Sequence, residues 1–568
     1  MDGKSYSLQN DERGFWSATI SGVEPGAKYF FKLDDDKKLP DPASRFQQEG
    51  VHGPSTVVDT SFKWHTDAWK GIPLGDMVIY ELHVGTFSPT SDFQGVIEKL
   101  DYLSDLGINA IELLPISQFP GGRNWGYDGV YPFAVQDTYG GPNGLKALVD
   151  AAHSKGIAVI LDVVYNHLGP EGNYLGEYGP YFTDKYKTGW GKALNYDDAY
   201  CDGVRNYFWQ NALMWLDEFQ IDGLRLDAVH AIWDFSAKHF VEELSQKVRA
   251  LEQRTGRKKV LIAEFDLNNP RYITPRPQGG YGLDGQWIDE YHHALHAIVT
   301  GEVDGYYEDF GTVDHLVKAI SDSYVYTGQY SVHRKKHFGT EISNNYDQFV
   351  VFAQNHDQVG NRMAGDRITH LLSFEALKTT AAAYILSPHV PMLFMGEEYG
   401  EKNPFQYFIS HTDEKLVEAV RKGRREEFSY FNWKGEVPDP QSEKTFKACI
   451  LSWNFEQDAG QKALFDFYKH IISLRRSHPA FKDPSRQSVH VKGIPGRKAL
   501  MMEKQGGGKK LVLVLNFEKS PLQIDAVGSA TVLVDSSAEK WNGPGSVEVN
   551  ANQITLKPES AVLFEITR

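Results

Sequence analysis

GLKALVDAAHSKGIAVILDVVYNH, residues 144–167, decides the fold, because a helix and a strand can be read from it back to back. Leu145, Leu148, Val149 and Ala152 fall at i, i+3, i+4 and i+7, one apolar stripe along a helix. Gly156 suits the left-handed position that ends such a helix. IAVILDVVY (157–165) follows as an almost unbroken apolar run. A strand with no polar alternation belongs in a parallel sheet covered on both faces.

The pattern repeats on both sides of this stretch. Strands are expected in MVIYELHV (77–84), INAIELLPI (108–116), IDGLRLDAV (221–229), KVLIAEF (259–265), QWIDEY (286–291), QFVVFAQ (348–354) and PMLFMG (391–396). Between Phe235 and Gly256 the helical stripe recurs as Phe240, Leu244, Val248 and Leu251. Eight such units predict an α/β protein built on a (β/α)8 TIM barrel in place of an open sheet.

At 568 residues the chain exceeds one core. The barrel is expected over 63–487, well beyond the ~250 residues such barrels usually need. The surplus is assigned to insertions near 168–203 and 405–450. The second carries HTDEKLVEAVRKGRREEF and FNWKGEVPDPQ. Residues 1–62 read as short strands and turns (GFWSATI, KYFFKL). They are expected to form a short N-terminal β-sandwich-like domain, thin for an independent one. From 488 to 568 the helical period disappears, and strands such as KALMMEK and KLVLVLNF flank the turn QGGGK. A C-terminal β-sandwich is expected there.

Composition narrows the function. With 59 Lys and Arg against 75 Asp and Glu, the formal charge is −16, and no long basic run occurs, so a nucleic-acid partner is not expected. The most apolar stretch, AAAYILSPHVPMLFM (381–395), contains two prolines and falls short of the ~20 residues that span a bilayer. No membrane association is therefore expected. The two cysteines, Cys201 and Cys449, suit a reducing compartment, and MDGKSYSLQNDERGFW lacks the apolar core of a signal peptide. The reading is cytoplasmic.

Polar residues at the carboxyl ends of barrel strands face the active site. Strand three ends in DVVYNH, with Asp162, Asn166 and His167. Strand four ends in GLRLDAVH, with Arg225, Asp227 and His230. Strand five ends in IAEFD with Glu264, and strand seven in QNHD with His356 and Asp357. One such acid alone is as readily a helix N-cap. Four strand ends converging on one rim are not explained that way, because crowded carboxylates repel and are kept mainly where charge is used. A glycosidase needs that set: one carboxylate to attack the anomeric carbon, one carboxylic acid to protonate the leaving oxygen, and further charge for the oxocarbenium-like transition state. NWGYDGVYPF adds Trp125, Tyr127 and Tyr131 after strand two, as sugar-stacking faces or as core.

In that order and on those strands, DVVYNH, GLRLDAVH, IAEFD and QNHD resemble the four motifs of the α-amylase superfamily of glycoside hydrolases. The resemblance implies Asp227 as nucleophile, Glu264 as general acid/base and Asp357 as transition-state stabiliser. It also implies that Tyr127, His167, Arg225 and His356 surround the −1 sugar, with Asp162 holding Arg225 and Asp128 nearby. PDPASRFQQEGVHGPS, YNHLGPEGNYL, WIDEYHHALH and PFQYFISHTDEKLVEAVRKGRREEF are similar to the trehalohydrolase branch of the superfamily. That branch implies hydrolysis of the α-1,4 bond beside the terminal trehalose of maltooligosyl-trehalose, with retention, in a pathway after a maltooligosyl-trehalose synthase. His230 and Trp233 would line the trehalose side. Phe265 replaces the small polar residue usual after the glutamate, and the N-terminal domain resembles a shortened form.

Glu264 is expected to titrate high because Phe265 and neighbouring carboxylates disfavour its charge. A Ca2+ site on Asp162, Asn166 and His167 would need six to eight oxygen ligands. Apart from Glu171, Glu177, Asp184, Asp197 and Asp198, no second acidic cluster stands out in 168–203, and the resemblance implies no need for Ca2+, so no metal or other cofactor is expected. The rival readings are an α-glucan branching enzyme, an α-amylase or debranching hydrolase, and a catalytically silent glucan-binding scaffold.

Overall fold

The computed structural model describes residues 3–34, 37–189, 191–428 and 437–567. Eight parallel strands close a barrel: β1 (Ile79–Leu82), β2 (Ala110–Leu113), β3 (Ala158–Val163), β4 (Gly223–Leu226), β5 (Val260–Ala263), β6 (Gly285–Trp287), β7 (Phe349–Val351) and β8 (Val390–Phe394). Each pairs with its neighbour in chain order, and β8 closes on β1 with Met392 beside Ile79. All eight expected strands are present. In the sixth, the strand takes in only Gln286 and Trp287 of QWIDEY. Asp289 opens helix Asp289–Thr300, where two acids in the first turn favour the helix dipole.

The helices that set the pattern form as expected. Helix α1 (Gly141–Ser154) buries Leu145, Leu148, Val149 and Ala152, and Gly156 follows at φ +73°. An L side chain there would be strained, which is why glycine ends the helix. Helix α2 (Phe240–Thr255) buries Phe240, Leu244, Val248 and Leu251.

Between barrel and termini the chain adds material of three kinds. The 168–203 insertion carries the hairpin Phe182–Thr188 and Gly191–Leu194. The 405–450 insertion carries helices Glu414–Phe428 and Glu443–Ala448, and the FNWKGE portion of it lies outside the described residues. A further extension between β6 and β7 was not anticipated. It holds helix Val313–Asp322 and the hairpin Thr327–Ser331 with Lys336–Gly339.

Among the described residues, the first 62 positions form three ladders of two residues per strand and no pair of facing sheets. Their PDPASRF connector lies on the barrel: Tyr178 and Tyr207 donate to the carbonyls of Pro40 and Pro42, and Arg45 holds Glu218 at 2.7 Å. At the other end, a five-stranded antiparallel sheet starting at Val489 faces a three-stranded one. Val512, Val514, Val562 and Phe564 meet Leu522, Ile554 and Leu556 between them. Leu511, Leu513, Leu515 and Leu563 turn the other way into the main core, so the central strand Lys509–Asn516 shows no polar face. No helix among the described residues is long and apolar enough to cross a membrane.

Candidate active site

Alternation along the strands builds the site. Side chains two apart share a face, and the inner face starts apolar: Ile79, Ala110, Ala158, Ile160, Val260 and Ile262 form a core of their own with Trp287, Val350 and Met392. One step further toward the carboxyl ends, the same face reads Glu81, Glu112, Asp162, Arg225 and then Asp227 and Glu264. The barrel floor thus passes from hydrocarbon to charge within one pleat.

Arg225 is fully buried at the centre. Its Nη1 donates to Asp162 Oδ2 at 2.7 Å and Asp227 Oδ1 at 2.8 Å, and its Nη2 lies 3.5 Å from Glu264 Oε2. The guanidinium rests 4.3 Å from the Trp287 ring centre, which fixes its plane. Asn166 Nδ2 donates to the other oxygen of Asp227 at 2.7 Å, and His167 bridges Asn166 Oδ1 and the Tyr127 carbonyl. Glu264 Oε2 accepts from the Ala228 N–H at 2.6 Å, and Ala228 stands at φ +39° to offer it. A non-glycine residue in that region is strained, and here the strain joins the two carboxylate-bearing strands.

A second chain of contacts starts on β1. Glu81 meets His356 Nδ1 at 2.5 Å and also accepts the His356 backbone N–H, while His356 Nε2 lies 2.7 Å from the Tyr127 hydroxyl. Tyr127 donates to Asp162 Oδ2 and stacks on His356 with ring centres 5.2 Å apart. Gly126 makes this placement feasible, since a Cβ there would sit 2.1 Å from the Pro115 carbonyl oxygen. Asp357 follows His356 and is the most open of the acids, with 44% of its side chain exposed.

The protonation pattern follows from burial and neighbours. Burial pushes Glu264 up to about 8; Arg225 opposes this, and Asp227, Asp289 and Asp357 add to it. Phe265, on the other face of the strand with Leu261 and Ala263, packs on Tyr272 with ring centres 4.5 Å apart, and the charged neighbours that raise Glu264 come from other strands. Burial works against a charged His356, yet Asp357 and Glu81 hold it up at about 9, so both ring nitrogens donate at neutral pH. Burial also carries Asp162 up to about 6, against the pull of Arg225. A proton-holding carboxyl therefore stands beside an ion-paired carboxylate across one guanidinium. That arrangement suits acid-assisted displacement at a glycosidic carbon.

The Alpha-amylase catalytic-domain family matches residues 83–190 and 191–484. A malto-oligosyltrehalose trehalohydrolase of Saccharolobus solfataricus is 49% identical over 83% of this chain and 82% of its own length. One from Rhizobium sp. (strain M-11) is 43% identical over 97% of this chain and 92% of its own. The chain belongs to the malto-oligosyltrehalose trehalohydrolases of the alpha-amylase family. A Salmonella typhimurium protein assigned as an alpha amylase, solved as a crystal structure, is 37% identical with a TM-score of 0.90, covering 99% of this chain and 94% of that one.

Around this family's barrel, the remaining residues singled out from the sequence separate. Asp128 accepts from Asn124 at 2.7 Å beside the site, with His411 at 3.9 Å. His230 is exposed and Trp233 is 38% exposed; both line a groove that none of the three acids enters. Trp125 and Tyr131 are core: Trp125 stacks on Phe405, and Tyr131 donates to the Val51 carbonyl. Among the described residues no group of three or more His, Cys, Asp or Glu is arranged to hold a metal ion, and Asn166 is engaged with Asp227.

Glu81, Glu112 and Asp289 were missed. For the first two the signal was present, since each lies two residues beyond an inward apolar residue in its strand (Ile79, Ala110). Asp289 was hidden by reading QWIDEY as a strand throughout.

Proposed function

We propose that this glycosidase cleaves the α-1,4 bond beside the terminal trehalose of maltooligosyl-trehalose, with retention, releasing trehalose and a shorter maltodextrin. The observation that carries the chemistry is the single guanidinium of Arg225 reaching Asp162, Asp227 and Glu264 together. The substrate follows the trehalohydrolase relatives, which match over most of both lengths.

Asp227, oriented by Arg225 and Asn166, attacks the anomeric carbon while Glu264 protonates the departing 4-oxygen of the trehalose unit. Glu264 then takes a proton from water, which displaces Asp227 from the sugar and restores the α configuration. Asp357 faces the charge that develops at the ring, and the His356 and Tyr127 pair holds the −1 sugar. His230 receives the trehalose side, and Trp233, expected beside it, lines the groove beyond. The substrate must be supplied by a synthase that forms the terminal 1,1 linkage. Unpaired Cys201 and Cys449 support a cytoplasmic setting.

Incubation with maltotriosyl-trehalose and maltohexaose side by side tests this reading. Trehalose from the first with little cleavage of the second is expected. Equal cleavage of both, or new α-1,6 branches in amylose, would overturn it.

A further inference from the structure

Past His230 the loop after β4 opens a groove of ≈ 400 Å³, lined among others by Trp233, Phe235, Glu242, Arg271 and Tyr281. Phe235 is 74% exposed, and Trp233 stands half open beside it, with ring centres 6.4 Å apart. Contiguous aromatic surface left in water marks an interaction site more often than isolated apolar residues do. The platform is built rather than loose. Tyr186 of the 168–203 insertion stacks on Trp233 at 5.5 Å and 17°. The Asp197 carboxylate accepts both the Tyr186 hydroxyl at 2.7 Å and the Phe235 N–H at 3.0 Å, tying insertion to loop. On the opposite wall Tyr281 stacks on His239, and Arg271 lies over its ring at 5.4 Å.

We propose that this groove is an auxiliary site for a second α-1,4-glucan chain, separate from the chain being cleaved. A pyranose has a flat C–H face and a rim of hydroxyls, and the groove offers aromatic planes with an Arg fork and a carboxylate beside them. Asp234 and Glu242 in the lining, on a chain of net charge −16, disfavour phosphate-bearing ligands. Continuity through His230 places the groove on the side where the cleaved chain ends in its trehalose unit. An occupant beyond it therefore belongs to another molecule. This last step rests on the proposed trehalose-releasing reaction.

The test uses Glu264→Gln protein saturated with maltotriosyl-trehalose and titrated calorimetrically with maltoheptaose. Maltoheptaose should still bind, and Phe235→Ala or Arg271→Ala in that background should weaken it about tenfold, the effect of losing one ring or fork contact. In otherwise wild-type enzyme, Phe235→Ala should leave kcat/KM for maltotriosyl-trehalose unchanged. No maltoheptaose binding, or binding indifferent to both substitutions, would overturn the proposal. So would a matching fall in kcat/KM, which would make the groove part of the cleft. Failure of wild-type enzyme to release trehalose would instead count against the proposed reaction, while the response of maltoheptaose to Phe235→Ala still reads the groove.

Discussion

Glu264 carries a proton at neutral pH because its carboxyl is buried among other acids, and that fixes the direction of the pH dependence. As pH rises through about 8 the proton is lost and with it the acid function, so kcat/KM should fall on a basic limb. Glu264→Gln should lower kcat/KM by about 10²–10⁴-fold and flatten that limb. A limb that survives the substitution would assign the proton elsewhere. Asp289 is one of the charges raising Glu264, so Asp289→Asn should move the limb to lower pH, read from the same profile; an unmoved limb would contradict the assignment. Glu112 makes the converse case. Its two oxygens have no hydrogen-bond partner, and burial, with Glu81 and Asp162 adding, pushes its pKa well up. Above the ordinary glutamate range the native state holds this proton and the unfolded chain has lost it. Stability therefore falls as pH rises. Glu112→Gln should raise the urea midpoint, with a gap over wild type that widens from pH 5 to pH 8; a constant gap would contradict it.

At the scale of elements, the strands and helices were legible because period and length agree with what each element buries. Helix α2 shows it: Leu244 is fully buried, and Leu244→Ala should cost ~2–5 kcal/mol in chemical unfolding. A loss below ~0.5 kcal/mol would mean the stripe does not face the core. The sixth strand reads too long because Ile288 and Tyr291 are apolar, while the two acids between them serve as the first turn of a helix. The extension between β6 and β7 left no such mark, since its hairpin strands are short and mostly exposed, with Phe338 the one large apolar side chain they bury. Trp125 and Tyr131 could not be assigned from composition alone. Burial and stacking look alike in sequence, and Phe405, the ring Trp125 meets, lies in a distant insertion. The charged floor of the barrel was partly readable: the acids at strand ends stand out, whereas Glu81 and Glu112 sit inside apolar strings.

Over the whole molecule, one core runs from the barrel helices into the C-terminal sheet, whose inner leucines join it, and the N-terminal connector is fastened across the barrel by Arg45, Tyr178 and Tyr207. Such continuity keeps eight strand ends in fixed relation, which a preorganised acid pair requires. The catalytic arrangement as a whole stands on two carboxyl groups, at 227 and 264, acting in turn on one anomeric carbon. Proton NMR of the first turnovers on maltotriosyl-trehalose reads this directly, from the new reducing end before mutarotation. The α anomer should appear first; initial release of the β anomer would mean a single inverting displacement and would contradict the account.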